Sequence, residues 1–590
     1  MSGGLPFLGV SRSLTGRAWR ARLADERAAL TLCQQFGLPD LLGRVLAARG
    51  VTPELAEAYL APSLRTDLPD PATFKDMTRA AHLLADAVMK GEKVAVFGDY
   101  DVDGATSSAL LKRFFRAAGA DLITYIPDRL KEGYGPNEAA LERLAGQGVS
   151  IVVTVDCGTL SYRPLAAARR MGLRVIVVDH HLAEPELPEC EALINPNRLD
   201  EAGDYRHLAA VGVTFLLVVA LNRALRERGW YGEARPEPNL TEWLDIVALG
   251  TVCDVVALTG LNRTFVTQGL KVMAQRRNAG IRALADVAGL REAPAAYHLG
   301  FLLGPRVNAG GRVGQADLGV RLLTTDDPAQ AMQIATQLDH FNRERQAIES
   351  MVLEEAVAQA MLIPDGAPLI LVAADGWHAG VIGIVAGRLK ERFHKPAIVI
   401  GTEDGMGKGS CRSVPGVDIG AAVTAASQAG LLINGGGHPM AAGLTVEAGR
   451  VEELRDFLAM RLAEPMALRN GAGSLGIDGA VTITGCTEEL LEKVAQAGPF
   501  GQGNSEPRFA IANAAVVKAD VVGQDHVRVI LGGPDGGRLK AVAFRSLETD
   551  LGRTLLTGRG RFHVAGSLKL NRWNGSTSVE MTIHDAAVSG

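Results

Sequence analysis

No apolar run in the sequence is long enough to cross a bilayer: Val175-Ile176-Val177-Val178 and Phe215-Leu216-Leu217-Val218-Val219 stop far short of the ~20 residues a spanning helix needs. The N-terminus carries Arg12, Arg17, Arg20 and Arg22, but no apolar stretch with a small-residue cleavage site follows, so secretion is not expected. Cysteine is scarce. Cys33, Cys157, Cys190, Cys253, Cys411 and Cys486 lie far apart and form no C-x-x-C pair. This argues against a zinc ribbon and a disulfide framework, and points to a reducing, cytoplasmic setting. Basic charge is not in excess either. The formal net charge is -5, the wrong sign for binding nucleic acid through Lys and Arg. The balance is uneven, however: from Arg508 to the end 11 Lys+Arg face 7 Asp+Glu, leaving -9 for everything before.

What is present is an ordinary globular composition, 47% hydrophobic and 22% charged over 590 residues, enough for several domains. Residues 1–80 read as helical and Pro-punctuated, with helix starts at Leu38-Pro39-Asp40 and Val51-Thr52-Pro53-Glu54. From Lys93, short β-branched runs alternate with helix-length segments: Val94 to Phe97, Leu122 to Ile126, Ile151 to Val155 and Val175 to Val178. That alternation predicts a parallel α/β sheet covered on both faces. Between Asp326 and Met361 there is no Gly and a single Pro at 328, and apolar residues recur near a 3.6 period. One long helix over 326–362 follows, about 50 Å at ~1.5 Å per residue, with a second α/β region over 363–468. After Asn470-Gly471-Ala472-Gly473 the texture turns β-rich, broken by turn signals at Gly532-Gly533-Pro534-Asp535-Gly536-Gly537 and Asn574-Gly575, so 475–590 suits a small OB-type barrel.

The sharpest feature is Gly98-Asp99-Tyr100-Asp101-Val102-Asp103-Gly104, directly after the first strand. Three carboxylates so close repel one another unless a cation sits among them, and the C-terminal ends of parallel strands are where α/β sheets bind ligands. An acidic helix N-terminus is the bland alternative. A calcium loop of the EF-hand type lacks its Glu at the twelfth position and its flanking helices. Asp156 follows the strand at 151–155, Asp179-His180-His181 follows the strand at 175–178, and Asp254 closes Leu249 to Val256. A lone Asp at an element end is ordinarily a cap and a lone His an ordinary polar residue, but four such sites recur at successive element ends. Oxygen ligands with one or two imidazoles suit Mn²⁺ or Mg²⁺ rather than zinc. So many carboxylates suit two ions about 3.5–4 Å apart.

These motifs, D-x-D-x-D, the isolated Asp, D-H-H and the later Asp, resemble in order and spacing the four signatures of the DHH phosphoesterase superfamily. The resemblance implies a parallel-sheet DHH domain over 81–325. It implies metal ligation by Asp101, Asp103, Asp156, His180 and Asp254, with Asp99 in or beside the set. Catalysis would centre on Asp99, Asp156 and His181, the last facing the scissile phosphate as ligand or proton donor, and water would attack phosphorus in line. Segment 363–468 resembles the DHHA1 domain of that superfamily through Asp375 to Gly383, Ser410-Cys411-Arg412-Ser413 and the Gly-rich stretch Gly435 to Gly443. Phosphate contacts are thereby implied for Ser410, Arg412, Gly436 and His438, and also for Trp377 and His378. Arg306, Asn308 and Arg312 in Gly304-Pro305-Arg306-Val307-Asn308-Ala309-Gly310-Gly311-Arg312 join them. Gly435 to Gly443 would expose N–H groups to an anion if it forms a nest, and a Gly-rich turn with a surface Arg is the bland alternative for each of these segments. Lys131 to Asn137 resembles a further loop beside such sites, where Tyr134 is expected to stack on a base; Pro136 departs from that loop's usual pattern.

Pro499-Phe500-Gly501-Gln502-Gly503-Asn504 and the basic β-rich segment after it, with Phe544, Phe562 and Trp573, resemble the branch of the superfamily that digests single-stranded DNA. That resemblance implies 5′-to-3′ exonuclease action in recombination and repair by a cytoplasmic monomer. It also implies single-stranded DNA, a single-stranded-DNA-binding protein and a RecQ-type helicase as partners. A short-oligonucleotide or cyclic-dinucleotide phosphodiesterase, and an inactive scaffold of the same fold, are the alternatives.

Overall fold

The structure is a computed structural model that describes residues 5–129, 131–469, 473–573 and 576–589. Its chain divides into two compact units, one formed by 70–254 with 269–470, the other by 1–69, 255–268 and 471–590. Among the described residues no helix is long and apolar enough to cross a membrane.

In the first unit, strands Val94–Gly98, Leu122–Tyr125, Ile151–Val155 and Arg174–Val178 form where β-branched runs predicted them, and Ala192–Ile194 adds a fifth. All are parallel, in the order Leu122–Tyr125, Val94–Gly98, Ile151–Val155, Arg174–Val178, Ala192–Ile194. Every residue of strands Val94–Gly98 and Ile151–Val155 is buried, as coverage of both faces demands. Ala95, Phe97, Val152, Val175 and Val177 pack on Leu141, Leu144, Leu165 and Ala168 from helices Glu138–Gly146 and Tyr162–Arg170. The chain leaves Val94–Gly98 for one side, then returns on the other at Ile151–Val155. That reversal opens a crevice at the strands' carboxyl ends, where Asp99 and Asp156 emerge.

The long helix is there, Pro328–Ala360, started by Asp327 as N-cap with Pro at the first turn. Its later turns supply Val352, Ala356 and Ala360 to a core shared with Val372, Val399, Ile382, Val385 and Leu389. Of these, Val372 and Val399 belong to a five-stranded mixed sheet ordered Asn434–His438, Ala441–Glu447, Met406–Arg412, Ala397–Glu403, Ile370–Asp375. The opposite face packs on helices Ile419–Gln428 and Val451–Ala467.

In the second unit, Phe509–Val522, His526–Gly532, Arg538–Ala543, Ser576–Val588 and Arg561–Trp573 pair in that order, and the first also pairs with the last. The barrel is therefore closed and leaves no edge among these strands. Gly532 to Gly537 makes the expected hairpin turn. Asn574, Gly575, the side chain of Trp573 and residues 470–472 lie outside the described residues. Phe562 is wholly buried in the barrel core rather than offered to a strand, whereas Phe544 is 56% exposed.

Residues 1–80 are not helical throughout. Ala18–Ala21 is a strand, paired in parallel with Ser474–Ile477, and its Trp19 is buried with the indole N–H donating to Asp585. The helix starts at Asp40 and Pro53 stand as predicted. In the same unit Arg22 and Arg49 meet Asp478, and Asn504 donates to the carbonyls of Ala497 and Pro499. The motif beginning at Pro499 is thus held by polar contacts within its own unit.

Candidate metal centre

The first carboxylate motif is wound tightly. Gly104 sits where a Cβ would lie 2.4 Å from the Asp99 carbonyl oxygen, so no larger residue fits. Asp101 caps helix Val102–Ala117, its Oδ1 accepting from the N–H groups of Asp103 (2.9 Å) and Gly104 (3.1 Å). Asp103 is fully buried, and both its oxygens accept from the first N–H groups of helix Ala210–Glu227, at Ala210 (2.7 Å) and Val211 (2.8 Å). Burial and the neighbouring Asp101 nevertheless push its pKa up to about 7. Asp99 and Asp156, both buried, are raised well above the usual carboxylate range by burial first and Asp101 next. Asp156 adopts φ 61°, a left-handed conformation directly after the strand Ile151–Val155.

Asp254 is at the C-cap of helix Leu244–Cys253, an element end but not a strand end. Burial and then Asp103 lift it to about 10. It faces His180, whose Nδ1 is 3.1 Å from the Leu208 carbonyl. A carbonyl only accepts, so Nδ1 carries the proton and Nε2 keeps a free lone pair. Burial and His181 push this imidazole down to about 4, so it is neutral near pH 7. Nε2 is 3.3 Å from Asp156 Oδ1 and 3.6 Å from Asp254 Oδ2.

Four buried atoms here, Asp99 Oδ1, Asp156 Oδ1, His180 Nε2 and Asp254 Oδ2, have no hydrogen-bond partner among the described residues. Buried polar atoms are rarely left so. Their donor atoms fall into overlapping clusters, Asp99 with Asp101 and Asp156, Asp103 with His180 and Asp254, and Asp156 with His180 and His181, each within 4.8 Å. Oxygen-rich, with a neutral imidazole and an excess of negative charge, the set fits divalent cations.

Asp179, the first residue of the D-H-H motif, is tied into the site in a way the motif does not by itself reveal. It is buried, accepts from the N–H groups of His180 and His181 and from Thr159, and lies 2.8 Å from His181 Nδ1. Burial opposes its charge, yet the His181 hydrogen bond holds Asp179 below the ordinary carboxylate range. In return, and against its own burial, His181 is raised by Asp179. Asn195 and Asn197, just past the unpredicted fifth strand, donate to the carbonyls of His181 and His180. Tyr134 enters through its hydroxyl, 3.0 Å from the Asp156 carbonyl and 3.3 Å from His181 Nδ1, with its ring edge-on to the imidazole.

The cationic predictions divide. Gly304–Val313 is a helix, not a turn. Its glycines serve packing: at Gly304 a Cβ would lie 2.4 Å from Cys253 Sγ, and at Gly311 2.6 Å from the Tyr100 carbonyl. Arg312 is half-buried, donates to the Gly380 carbonyl and has no carboxylate ion pair among the described residues. Burial, with Arg129 and Arg345 nearby, pushes it down to about 10. Arg129 lies over the Tyr100 ring at 4.9 Å, a cation not singled out from the sequence. Arg412 bonds Ser410 and feels the same Arg129 charge. Arg306 is turned away, bound to Asp339 at 2.9 Å and to the Leu302 carbonyl. Asn308 stands on that same helix, within the turn that separates the two arginines.

Trp377 is buried in the core with its indole N–H on Glu355, so it is structural. His378 accepts from Gly380 N–H within its own turn. Gly435 to Gly443 is no nest but a hairpin, Asn434–His438 against Ala441–Glu447, with Gly436 and His438 on its exposed edge strand.

Comparison with known proteins follows the same divisions. Residues 93–251 match the DHH family, N-terminal domain, residues 366–464 the DHHA1 domain and residues 477–585 the RecJ OB domain. The chain is 38% identical over 558 residues to the single-stranded-DNA-specific exonuclease RecJ of Dickeya dadantii, covering 92% of this chain and 96% of that one. To the Escherichia coli protein of that name it is 36% identical over 580 residues, covering 96% and 98%. Among solved structures, RecJ in complex with Mn²⁺ from Thermus thermophilus superposes with a TM-score of 0.81 at 28% identity, covering 97% of this chain and 80% of that chain.

Proposed function

The chain belongs to the RecJ family, and from that premise we propose that it is a single-stranded-DNA-specific exonuclease that hydrolyses phosphodiester bonds with two divalent metal ions and works from a 5′ end. The observation that carries the reading is the convergence at one crevice of four buried donor atoms that have no partner among the described residues. Asp99, Asp101 and Asp156 would hold one ion and Asp103, His180 and Asp254 the other; Asp156 also clusters with His180 and His181. When bound, Mn²⁺ or Mg²⁺ neutralises charge on phosphate oxygens and lowers the pKa of a water.

The protein's own groups do the rest. Leu208 fixes the His180 tautomer, leaving Nε2 available. His181, 39% exposed at its side chain and with its protonated form favoured by Asp179, is placed to give a hydrogen bond or proton to a phosphate oxygen. Arg312, with no carboxylate of its own among the described residues, and Arg412 with Ser410 supply the cationic wall that an anionic backbone needs. Catalysis is assigned to 81–325, phosphate gripping to 363–468 and strand binding to the closed barrel of 475–590. Recombination and repair alongside a single-stranded-DNA-binding protein and a RecQ-type helicase, in the cytoplasm, extends the reading on family membership; six free cysteines suit that compartment.

The test incubates the protein with 5′- and 3′-labelled single strands, duplex DNA and short RNA in Mg²⁺ or Mn²⁺, beside Asp156→Ala. Release of the 5′ label as mononucleotide from single strands, lost in the variant, is expected. Equal activity in the variant, or none on long single strands, overturns the proposal.

A further inference from the structure

Two asparagines just past the fifth strand grip the D-H-H turn by its backbone carbonyls. The strand that carries them, Ala192–Ile194, is three residues long, the lower limit for such an element. It is pinned on both sides. Leu193 N–H donates to Asp76 Oδ2, the Leu193 carbonyl accepts from Arg198, which also pairs with Asp76, and Asp179 N–H donates to the Ile194 carbonyl. What so short a strand delivers is Asn195-Pro196-Asn197. Pro196 holds the residue before it extended, and side chains two apart on extended backbone face the same side. Both amides accordingly reach the His180-His181 turn, but they take hold of different histidines.

Asn195 is fully buried. Its Nδ2 donates to the His181 carbonyl at 2.8 Å and to Thr159 Oγ1 at 2.9 Å, while its Oδ1 accepts from Asn197 N–H at 2.7 Å. A carbonyl only accepts and an N–H only donates, so the amide has a single orientation. Thr159, buried as well, donates its N–H to Asp179 Oδ2 at 3.0 Å, and Asp179 Oδ1 lies 2.8 Å from His181 Nδ1. Asp179, Thr159, Asn195 and His181 thus close a ring of hydrogen bonds that fixes the His181 imidazole at one end and its peptide at the other. Asn197 Nδ2 instead spans the His180 carbonyl at 2.5 Å and the Arg206 carbonyl at 3.2 Å. Arg206 precedes by two residues Leu208, whose carbonyl sets the His180 tautomer. Asn197 therefore ties the backbone of the metal-facing histidine to the segment that orients its ring.

We propose that Asn195 and Asn197 are positioning residues with separate duties: Asn195 acts through His181 on the phosphate, and Asn197 acts through His180 on the metal. The inference rests on the proposed exonuclease reading. Loss of either amide leaves a carbonyl of the turn without that donor, and a reacting group displaced by about 1 Å can lose on the order of 100-fold in rate.

The experiment pairs single-turnover release of the first nucleotide from a labelled single strand with calorimetric titration of Mn²⁺ into the metal-free full chain. Asn195→Ala is expected to lower the rate about 10–100-fold at saturating Mn²⁺, while its Mn²⁺ Kd stays within about twofold of the parent. Asn197→Ala is expected to raise the Mn²⁺ Kd about 10-fold or more, with the rate returning to within about threefold of the parent once Mn²⁺ saturates. In a His181→Ala background, adding Asn195→Ala should change the rate by no more than about twofold, because both changes remove one contribution. Thr159→Val keeps the side-chain shape and cuts one link of the same ring. It should lower the rate about 3–10-fold without moving the Mn²⁺ Kd, so the assignment is tested even where Asn195→Ala does not fold. A generally loosened fold would move both readouts in both asparagine variants. That result, an unchanged rate in Asn195→Ala or Thr159→Val, or an Asn195→Ala penalty undiminished on top of His181→Ala, overturns the assignment. Absence of hydrolysis by the parent protein overturns the exonuclease reading instead, and the Mn²⁺ titration of Asn197→Ala then still tests the metal half by itself.

Discussion

Replacing Asp156 with Asn should make the metal-free protein more stable while abolishing its response to metal. Asp156 is buried among Asp99, Asp101, Asp103 and Asp254, all of which oppose its charge. At the separations of under 4.8 Å within its cluster, one pair of full charges repels by roughly 3–4 kcal/mol at an effective dielectric of ~20. The raised pKa values mean that the cluster is partly protonated already, so the relief is smaller, about 1–3 kcal/mol. Asn is the right replacement because it keeps the shape of Asp and, among residues with a side chain, readily tolerates the φ of 61° at this position. Asp156 Oδ1 has no hydrogen-bond partner among the described residues to lose, and the new amide donates to neighbouring carboxylates. A rise of about 2–8 °C in the melting transition of the unit is expected in EDTA. In Mn²⁺ at 100-fold its Kd the parent gains about 2.7 kcal/mol, and the variant gains little. Differential scanning calorimetry in EDTA and over a Mn²⁺ titration reads both. A metal-free transition lower in the variant than in the parent, or a full Mn²⁺-induced shift in the variant, contradicts the reasoning.

Gly311→Ala would drive a Cβ to 2.6 Å from the Tyr100 carbonyl, between Asp99 and Asp101; kcat should fall at least ~10-fold and Mn²⁺ affinity weaken, whereas Gly387→Ala, where a Cβ meets open space within helix Ile382–Phe393, should add up to about 1 kcal/mol and leave kcat unchanged. Trp19→Phe removes a donor from the fully buried Asp585 and should cost about 1.5–3 kcal/mol in denaturant unfolding. His584 accepts from Arg508 at 3.0 Å, and burial followed by that cation lowers it to about 4 from 6.5. Between those values the unfolded chain takes up a proton that the folded one refuses, so stability falls as pH falls from about 6.5 to 4, by up to roughly 3 kcal/mol. His584→Gln should flatten that slope in melting temperatures taken from about pH 7.5 to 4.5.

The parallel sheet was legible because its strands are buried on both faces and therefore read as unbroken β-branched runs. The chemistry was legible because Asp99, Asp156 and His180 each follow such a run closely. Ala192–Ile194 is only three residues and carried no comparable signal, which hid Asn195 and Asn197 with it. Ala18–Ala21 was hidden for a different reason: its strand character comes from a partner, Ser474–Ile477, far along the sequence.

The Gly-rich motifs expose a deeper ambiguity. Glycine marks a place where backbone comes close to something, but the sequence does not say to what. In Gly435 to Gly443 it is a neighbouring strand, and in Gly304 to Arg312 it is Cys253 and Tyr100. Helix propensity alone argues against Gly304–Val313, yet close packing against two other elements outweighs a cost of about 1 kcal/mol per glycine. The arginines on that helix show the same limit. Arg306 and Arg312 stand in one motif and look equivalent, and what separates them is Asp339 on the long helix, which meets Arg306 and leaves Arg312 without a carboxylate among the described residues. A cation becomes a ligand-binding group through the absence of a partner, and only the folded structure can reveal that absence.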